Sequence, residues 1–315
     1  MAFADNERQP CLAIKIARDP VAETHLRHEW QVLNHFQGPN LSGIGKTLPQ
    51  PILAEVVGAV YTLVSAAPSG HPICKSGSQT DDLKKVSNWL VELAQATHSI
   101  RAVAAVRQDL GCLFHQLGNT FDQLSDQEMK VVDGWIHQSM VGREVQQFDL
   151  FAVHGRLRQG NIWSKNGQLT VINWERCNLF GLPLEDLFTF ITTYFFPSLE
   201  RGPIELFLRA FRRIYLRETD QSKFVINLIS DYCQALSIPT KSVLPRLGVF
   251  LVRCAIEESE QLSAAAERGF LPLLSYPENG KQPPFRLAIK NQLWINLLRL
   301  LIDRRQFFRS TIIHR

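Results

Sequence analysis

The 315-residue sequence has no apolar run long enough to cross a bilayer, which takes about 18 consecutive apolar residues. Its most apolar stretch, residues 187–196, is interrupted by Thr189, Thr192 and Thr193. The first ten residues show neither the basic start nor the apolar core of a secretory signal. From these absences we expect no transmembrane segment and a cytoplasmic location.

Cysteine is sparse and scattered, with no CxxC pair and no Cys/His cluster. The six cysteines are Cys11, Cys74, Cys112, Cys177, Cys233 and Cys254. Zinc sites need closely spaced ligand pairs, and small disulfide scaffolds need a higher cysteine density. The net charge of +4 is also too small to indicate a nucleic-acid partner by itself. We therefore expect isolated thiols and no nucleic acid.

The first seventy residues alternate between strand and helix patterns. Residues 11–17 form a short strand pattern, and residues 22–36 carry apolar side chains at helical spacing. Two more strand patterns, residues 52–57 and 59–65, flank a turn at Gly58. This order predicts a small β-rich segment with one helix.

Helical patterns dominate the remainder, with one β insertion. Asp81 and Asp82 are suited to open a helix, and long amphipathic patterns follow Leu184. Between them, residues 150–175 form strand patterns around Asn166-Gly167, a strong hairpin signal.

The order of these patterns predicts an α+β chain in two parts. Small, turn-forming residues collect at 66–78, so we place the boundary there. The prediction is a small lobe at 1–70 and a larger helical lobe at 71–315, with an embedded hairpin segment at about 150–187.

One segment is especially informative: residues 154–161 (HGRLRQGN), followed by residues 171–175 (VINWE). It resembles the catalytic loop H-G-D-L-x-x-x-N and the metal-binding segment I-D-W/F-E of the aminoglycoside phosphotransferase and choline kinase family, which a β-hairpin separates. The resemblance implies a protein-kinase-like two-lobed fold, with a reduced N-terminal β lobe and a large helical C-terminal lobe.

Further matches occur in the family's order. Lys15 resembles the lysine that binds nucleotide phosphates, and Glu29 the helix carboxylate that pairs with it. Residues 62–64 and Gly70 are similar to the hinge entry. The other two matches are Leu93-Ala94 through His98, similar to L-A-x-x-H, and Gly181 through Leu187, similar to G-D-P-x-x-D-L. The resemblance covers about residues 12–187.

The departures from the family pattern fall on its catalytic carboxylates. Arg156 replaces the aspartate that accepts the hydroxyl proton, and a guanidinium cannot act as a base. Asn173 replaces the magnesium-binding aspartate and offers one neutral oxygen. These two changes raise the formal charge by +3 relative to the pattern, because one aspartate becomes cationic and the other neutral. Leu182 replaces the G-D-P aspartate.

The glycine-rich loop that covers the nucleotide in active relatives has no counterpart here. Only fourteen residues precede Lys15, none of them glycine, and the first glycine is Gly38. Without such a loop, backbone N–H groups cannot surround the phosphates. We expect either a truncated lobe or a start upstream of Met1.

The family-like residues have structural as well as functional interpretations. The candidate nucleotide-binding residues, Lys15 and Glu29, are equally well read as a structural ion pair. His154 and Asp186 are expected to support the loop by hydrogen bonds. Asn161 remains a weak candidate metal ligand.

Arg156 needs a partner if it is buried, and the sequence offers two acidic candidates. Guanidinium groups form bidentate contacts with carboxylates. We therefore expect an ion pair with Glu175 or Asp186 rather than a ligand contact.

Two functions remain open. The first is an impaired, phosphotransferase-like pseudokinase that binds a protein partner or a small ligand and needs no cofactor. The second is an active small-molecule kinase that uses ATP and Mg²⁺, with Glu175 and Asp186 as metal ligands and Lys15 on the phosphates.

The C-terminal residues from Lys281 are basic and apolar. Seven cationic residues oppose only Asp303: Arg286, Lys290, Arg299, Arg304, Arg305, Arg309 and Arg315, besides Lys281. An apolar stripe accompanies them at residues 293–301. We favour a closing helix that packs on the helical lobe over an amphipathic helix for an acidic partner or membrane surface.

Overall fold

The computed structural model describes residues 2–3, 10–73, 79–121, 124–140, 147–196, 204–267 and 285–305. Contacts group the chain into two compact units, Met1–Ile100 with Asp149–Tyr194, and Arg101–Phe148 with Phe195–Arg315. The hairpin that follows the catalytic-loop segment thus belongs to the first unit. The sequence-based division near residue 70 remains a prediction, and residues 74–78 of its boundary lie outside the described residues.

The first unit is built on short strands. Its elements are β1 (Ala2–Phe3), β2 (Pro10–Ile16), β3 (Pro51–Val57), β4 (Val60–Ala66), β5 (His71–Pro72), β8 (Ile162–Lys165), β9 (Gln168–Val171) and β10 (Asn178–Gly181), with β6 (Ser99–Ala102) and β7 (Gln147–Val153) at its limits. They form three sheets, in the orders β1-β2-β4-β3, β10-β7-β6 and β5-β8-β9.

Helix α1 (Pro20–Phe36) covers one face of the four-stranded sheet. Asp19 caps its N-terminus by accepting a hydrogen bond from the Ala22 N–H at 2.8 Å. Leu26 of this helix packs with Tyr61 and Leu63 of β4 in one buried cluster. The side chains that alternate along β2 therefore include Lys15 on the helix-facing side.

The predicted hairpin is confirmed at Asn166-Gly167. Both residues have positive φ, 52° and 83°, as a type I′ turn requires. Ile162 pairs with Val171 and Lys165 with Gln168 across the two strands. The hairpin positions the residues that follow β9, which include Asn173.

Helices complete both units. The first also contains α2 (Ser42–Gly45), α3 (Gln79–Ala96) and most of α6 (Glu185–Phe195). The second contains α4 (Val103–Thr120), α5 (Asp126–Ser139), α7 (Ile204–Phe211), α8 (Asp220–Ala235), α9 (Val243–Glu267) and α10 (Phe285–Asp303), and a π-helical turn at Arg212–Leu216 follows α7.

Helix α10 distinguishes the two interpretations of the basic C-terminal sequence, a closing helix and an amphipathic helix for an acidic partner or membrane surface. It packs against α9, α5 and α7. Its apolar stripe is buried: Leu293, Trp294, Leu297, Leu298 and Leu301. The closing-helix interpretation is therefore confirmed for this stripe, whereas Lys281, Arg309 and Arg315 lie outside the described residues. Within the described part of the chain, no helix is long and apolar enough to span a membrane.

Candidate functional site

Lys15 lies at the centre of the candidate site. Its Nζ donates hydrogen bonds to both carboxylate oxygens of Glu29, at 2.7 and 2.6 Å, and to Oδ1 of Asn173 at 2.7 Å. The Glu29 side chain is 3% exposed and that of Lys15 is 31% exposed. An ammonium group has three N–H donors, so these three contacts use all of them.

A chain of amide hydrogen bonds continues from Lys15. Asn173 Nδ2 donates to Asn161 Oδ1 at 2.8 Å, and Asn161 Nδ2 donates to the Arg156 carbonyl oxygen at 2.9 Å. Asn173 has a φ of 67°, in the left-handed region that asparagine tolerates better than most residues. The residues predicted as phosphate-binding and metal-binding therefore contact one another directly.

This network fits poorly with a magnesium-bridged nucleotide. Asn173 Oδ1 accepts from Lys15, and Asn161 Oδ1 accepts from Asn173, so both candidate amide ligands already have a hydrogen-bond donor against them. Magnesium requires oxygen ligands and is usually held through carboxylates. Among the described residues, no group of three or more His, Cys, Asp or Glu side chains is arranged to bind a metal ion. The residues present therefore do not fit the ion.

His154 and Asp186 support the loop that carries Arg156. The Asp186 carboxylate accepts hydrogen bonds from the backbone N–H groups of His154, at 2.5 Å, and Gly155, at 3.1 Å. His154 Nε2 donates to the Ile172 carbonyl at 2.9 Å, while its Nδ1 accepts from the Arg156 backbone N–H at 3.2 Å. These bonds require a neutral imidazole protonated on Nε2.

Burial shifts the pKa values of these groups in opposite directions. Burial lowers the pKa of His154 to about 4, which keeps the imidazole neutral. Burial raises the pKa of Asp186 to about 7, although the two backbone N–H groups act against it. Burial also raises the pKa of Glu29, an effect that Lys15 partly offsets.

The prediction that Arg156 forms an ion pair with Glu175 or Asp186 was wrong. Within the described part of the chain, its guanidinium pairs with neither Glu175 nor Asp186. Asp186 is already bonded to two backbone amides, which the loop brings next to it. Since Arg156 is only half-buried, water can solvate its charge without a protein partner.

Glu175 is one of the residues of this region with an unsatisfied buried atom. Its Oε2 is buried and has no hydrogen-bond partner. The side chain follows Asn173 and Trp174 directly, and its charge acts on both Glu29 and His154. A buried carboxylate oxygen without a protein donor is costly, and a water molecule or a cation would satisfy it.

Two contacts of the site were not predicted from the sequence. His28 Nε2 forms a hydrogen bond to the Cys177 carbonyl at 2.7 Å. Trp174 donates its backbone N–H to Glu29 Oε1 at 3.2 Å, and its ring contacts His154 with centroids 4.8 Å apart. Both contacts join residues distant in sequence, so no local signal identifies them.

Leu182, where the resemblance implies an aspartate, is buried with 6% exposure. An apolar side chain there contributes to the core and offers no oxygen to a metal. The structure thus brings Lys15, Glu29, Asn161 and Asn173 into one network. It places His154 and Asp186 beneath the loop as its supports.

Comparison with known proteins gives a structural likeness alone. No protein-family model matches the sequence, and no curated protein matches it. An amicoumacin kinase, hAmiN, in complex with AMP-PNP, Ca²⁺ and Ami, superposes with a TM-score of 0.52, which covers 94% of this chain and 83% of that one at 12% identity. The chain has a protein-kinase-like fold.

A second solved structure is an aminoglycoside phosphotransferase from Alicyclobacillus acidocaldarius. It is 13% identical, with a TM-score of 0.49 over 96% of this chain and 87% of that one. At such identities the likeness concerns the fold. The chemistry that the chain can perform depends on the network around Lys15.

Proposed function

We propose that this chain is an aminoglycoside phosphotransferase-like pseudokinase, impaired in catalysis, which acts as a binding or regulatory scaffold for a protein partner or a small ligand. The observation that carries the proposal is the closed network of Lys15, Glu29, Asn173 and Asn161. The groups that would contact phosphates and metal in an active relative are bonded to one another. The preserved fold is therefore available for binding without transfer chemistry.

Electrostatics supports the same proposal. Phosphoryl transfer relies on positioning and charge stabilisation, with metal ions that bridge the phosphate oxygens. The +3 difference from the family pattern, which Arg156 and Asn173 account for, disfavours a dication at this site. We therefore expect no cofactor. If a nucleotide or another anion binds here, the positive charge favours a metal-independent complex.

Calorimetry and turnover test the proposal together. We expect ATP consumption at background level with aminoglycosides, choline, sugars and nucleosides as acceptors. In parallel, titration with ATP, ADP and phosphate should give heats that do not change when magnesium is added. Turnover that depends on magnesium would contradict the proposal. If ATP, ADP and phosphate all fail to bind, the site does not hold these anions, and a protein partner remains the candidate ligand.

A second candidate function rests on Glu175. Its buried, unpartnered Oε2 is placed beside the network and would suit a metal ligand in an active ATP-dependent small-molecule kinase. The amicoumacin kinase was solved with AMP-PNP and Ca²⁺, which makes nucleotide and a dication the natural ligands to try. In this alternative, Lys15 would have to exchange one present contact for a phosphate oxygen.

The Glu175→Gln variant separates the two candidates. The alternative requires turnover in the parent protein that falls at least about 100-fold in the variant, as for loss of one strong electrostatic contact. Glu258→Gln, an exchange in the other unit, controls for the chemical change. Equal ATP consumption in the parent and in Glu175→Gln would contradict the alternative.

A further inference from the structure

A pocket of about 730 Å³ in the second unit carries three arginines. Arg212 and Arg217 come from the π-helical turn and its C-terminal end, and Arg304 comes from the end of α10. A volume of this size is typical of small-molecule sites. The pocket belongs to neither of the functions discussed above, since its residues lie outside the unit that contains Lys15.

The π-helical turn explains why two of these arginines line one pocket. In an α-helix, residues five apart point in widely different directions because a turn takes 3.6 residues. In a π-helix the backbone bonds join residues i and i+5. Arg212 and Arg217 are five positions apart, so the wider turn brings them to the same side. Such turns are found frequently at functional sites.

The charges of the pocket are unbalanced. Within the described residues, the guanidinium groups of Arg212, Arg217 and Arg304 have no hydrogen bond and no ion pair. Of the two acids in the lining, Glu218 is paired with Lys223 at 3.6 Å. The end of α10 contributes only about half a negative charge. Three cations thus face one carboxylate that has no paired cation, Asp303.

We propose that this pocket binds a small organic phosphate monoester with hydroxyl groups, such as a sugar phosphate. Guanidinium forks match phosphate oxygens and form strong, charge-assisted hydrogen bonds with them. Asp303 is placed to accept hydrogen bonds from hydroxyl groups of the same ligand. Leu216 and Leu300, which complete the lining, offer apolar contact to its carbon skeleton. This assignment is independent of catalytic impairment at Asn173.

Calorimetric titration of the full chain with glucose 6-phosphate, inorganic phosphate and glucose tests the proposal. We expect both phosphates to bind and glucose not to bind, with affinity that falls as salt rises. Arg212→Ala, Arg217→Ala and Arg304→Ala should each weaken binding about tenfold or more, since each removes charge-assisted hydrogen bonds. Arg213→Ala is the matched control, because Arg213 is exposed on the same turn and lies outside the lining.

Each result of these titrations either supports or contradicts the proposed phosphate site. Binding of both phosphates that is lost in the three lining variants and retained in Arg213→Ala supports the site. No binding of either phosphate at millimolar concentration contradicts it, as does equal weakening by Arg213→Ala. Binding of inorganic phosphate without glucose 6-phosphate would overturn the assignment to an organic monoester. Circular dichroism of each variant shows that the fold is retained, as expected for exposed arginines.

Discussion

The residues that support the loop and the residues that it presents differ in burial and in bonding. His154 and Asp186 are buried, and the Asp186 carboxylate accepts hydrogen bonds from the backbone N–H groups of His154 and Gly155. Arg156 and Asn173, at the reacting positions that the resemblance implies, are half-buried. The comparison teaches that the conformation of the loop depends on its buried supports more than on the half-buried side chains at its reacting positions.

Removal of a buried side chain that supports the loop should therefore lower the free energy of unfolding far more than removal of a half-buried side chain at a reacting position. Asp186→Ala leaves two buried backbone N–H donors without an acceptor, at about 1–3 kcal/mol each, so we expect a loss of about 3 kcal/mol or more. Arg156→Ala, the matched change at a reacting position, should cost less than about 1 kcal/mol. Urea unfolding measures both. Similar losses in the two variants would break the comparison.

The pH dependence of stability tests the two buried supports against each other. The folded-state pKa of Asp186, about 7, lies above its ordinary 3.8, so its contribution to the free energy of unfolding falls as pH rises through this window. The folded-state pKa of His154, about 4, lies below its ordinary 6.5, so its contribution rises with pH there. The two contributions oppose each other between about pH 4 and 6.5.

Asp186→Asn removes one of these opposed contributions. The destabilisation caused by the variant should shrink by about 2–4 kcal/mol between pH 4 and pH 8, because only the parent protein loses stability as Asp186 ionises. Urea unfolding of both proteins at several pH values measures this. A constant difference between them would show that Asp186 ionises in the folded state as it does in the unfolded chain.

Gly155 and Gly167 both have positive φ but differ in the space available for a Cβ atom. Gly155 has a φ of 75°, and a Cβ there would lie 2.3 Å from the Arg176 carbonyl oxygen. Gly167, with a φ of 83°, has open space around it. Gly155→Ala should therefore cost about 2–3 kcal/mol, and Gly167→Ala only about 1 kcal/mol from strain. Thermal or urea unfolding of both variants measures these losses of stability. Equal losses would mean that the loop moves freely away from Arg176.

The sequence was informative wherever local chemistry decides the structure. The Asn166-Gly167 turn requires positive φ at both positions, whereas the Lys15–Glu29 pair was implied by the resemblance to a known family. The kinase-like fold was predicted from the ordered motifs. Of these features, only the turn depends on a short-range pattern that turn chemistry describes.

The features that were missed depend on contacts between distant residues. Asn173 lies 158 positions from Lys15, so its hydrogen bond to that lysine leaves no trace in local spacing. For Arg156, the choice between water and a carboxylate depended on what had already bonded to Asp186. The π-helical turn at Arg212–Leu216 likewise departs from the helical periodicity that the sequence analysis assumed.

The most direct test of the account is the thermal stability of the parent chain and of the Arg156→Asp/Asn173→Asp variant with ATP, with and without magnesium. Native-state binding raises the apparent stability by mass action. The account predicts no magnesium-dependent rise in the parent, because Lys15, Asn161 and Asn173 are bonded to one another, and a rise in the well-folded double variant. A magnesium-dependent rise in the parent, or none in the variant, would contradict it.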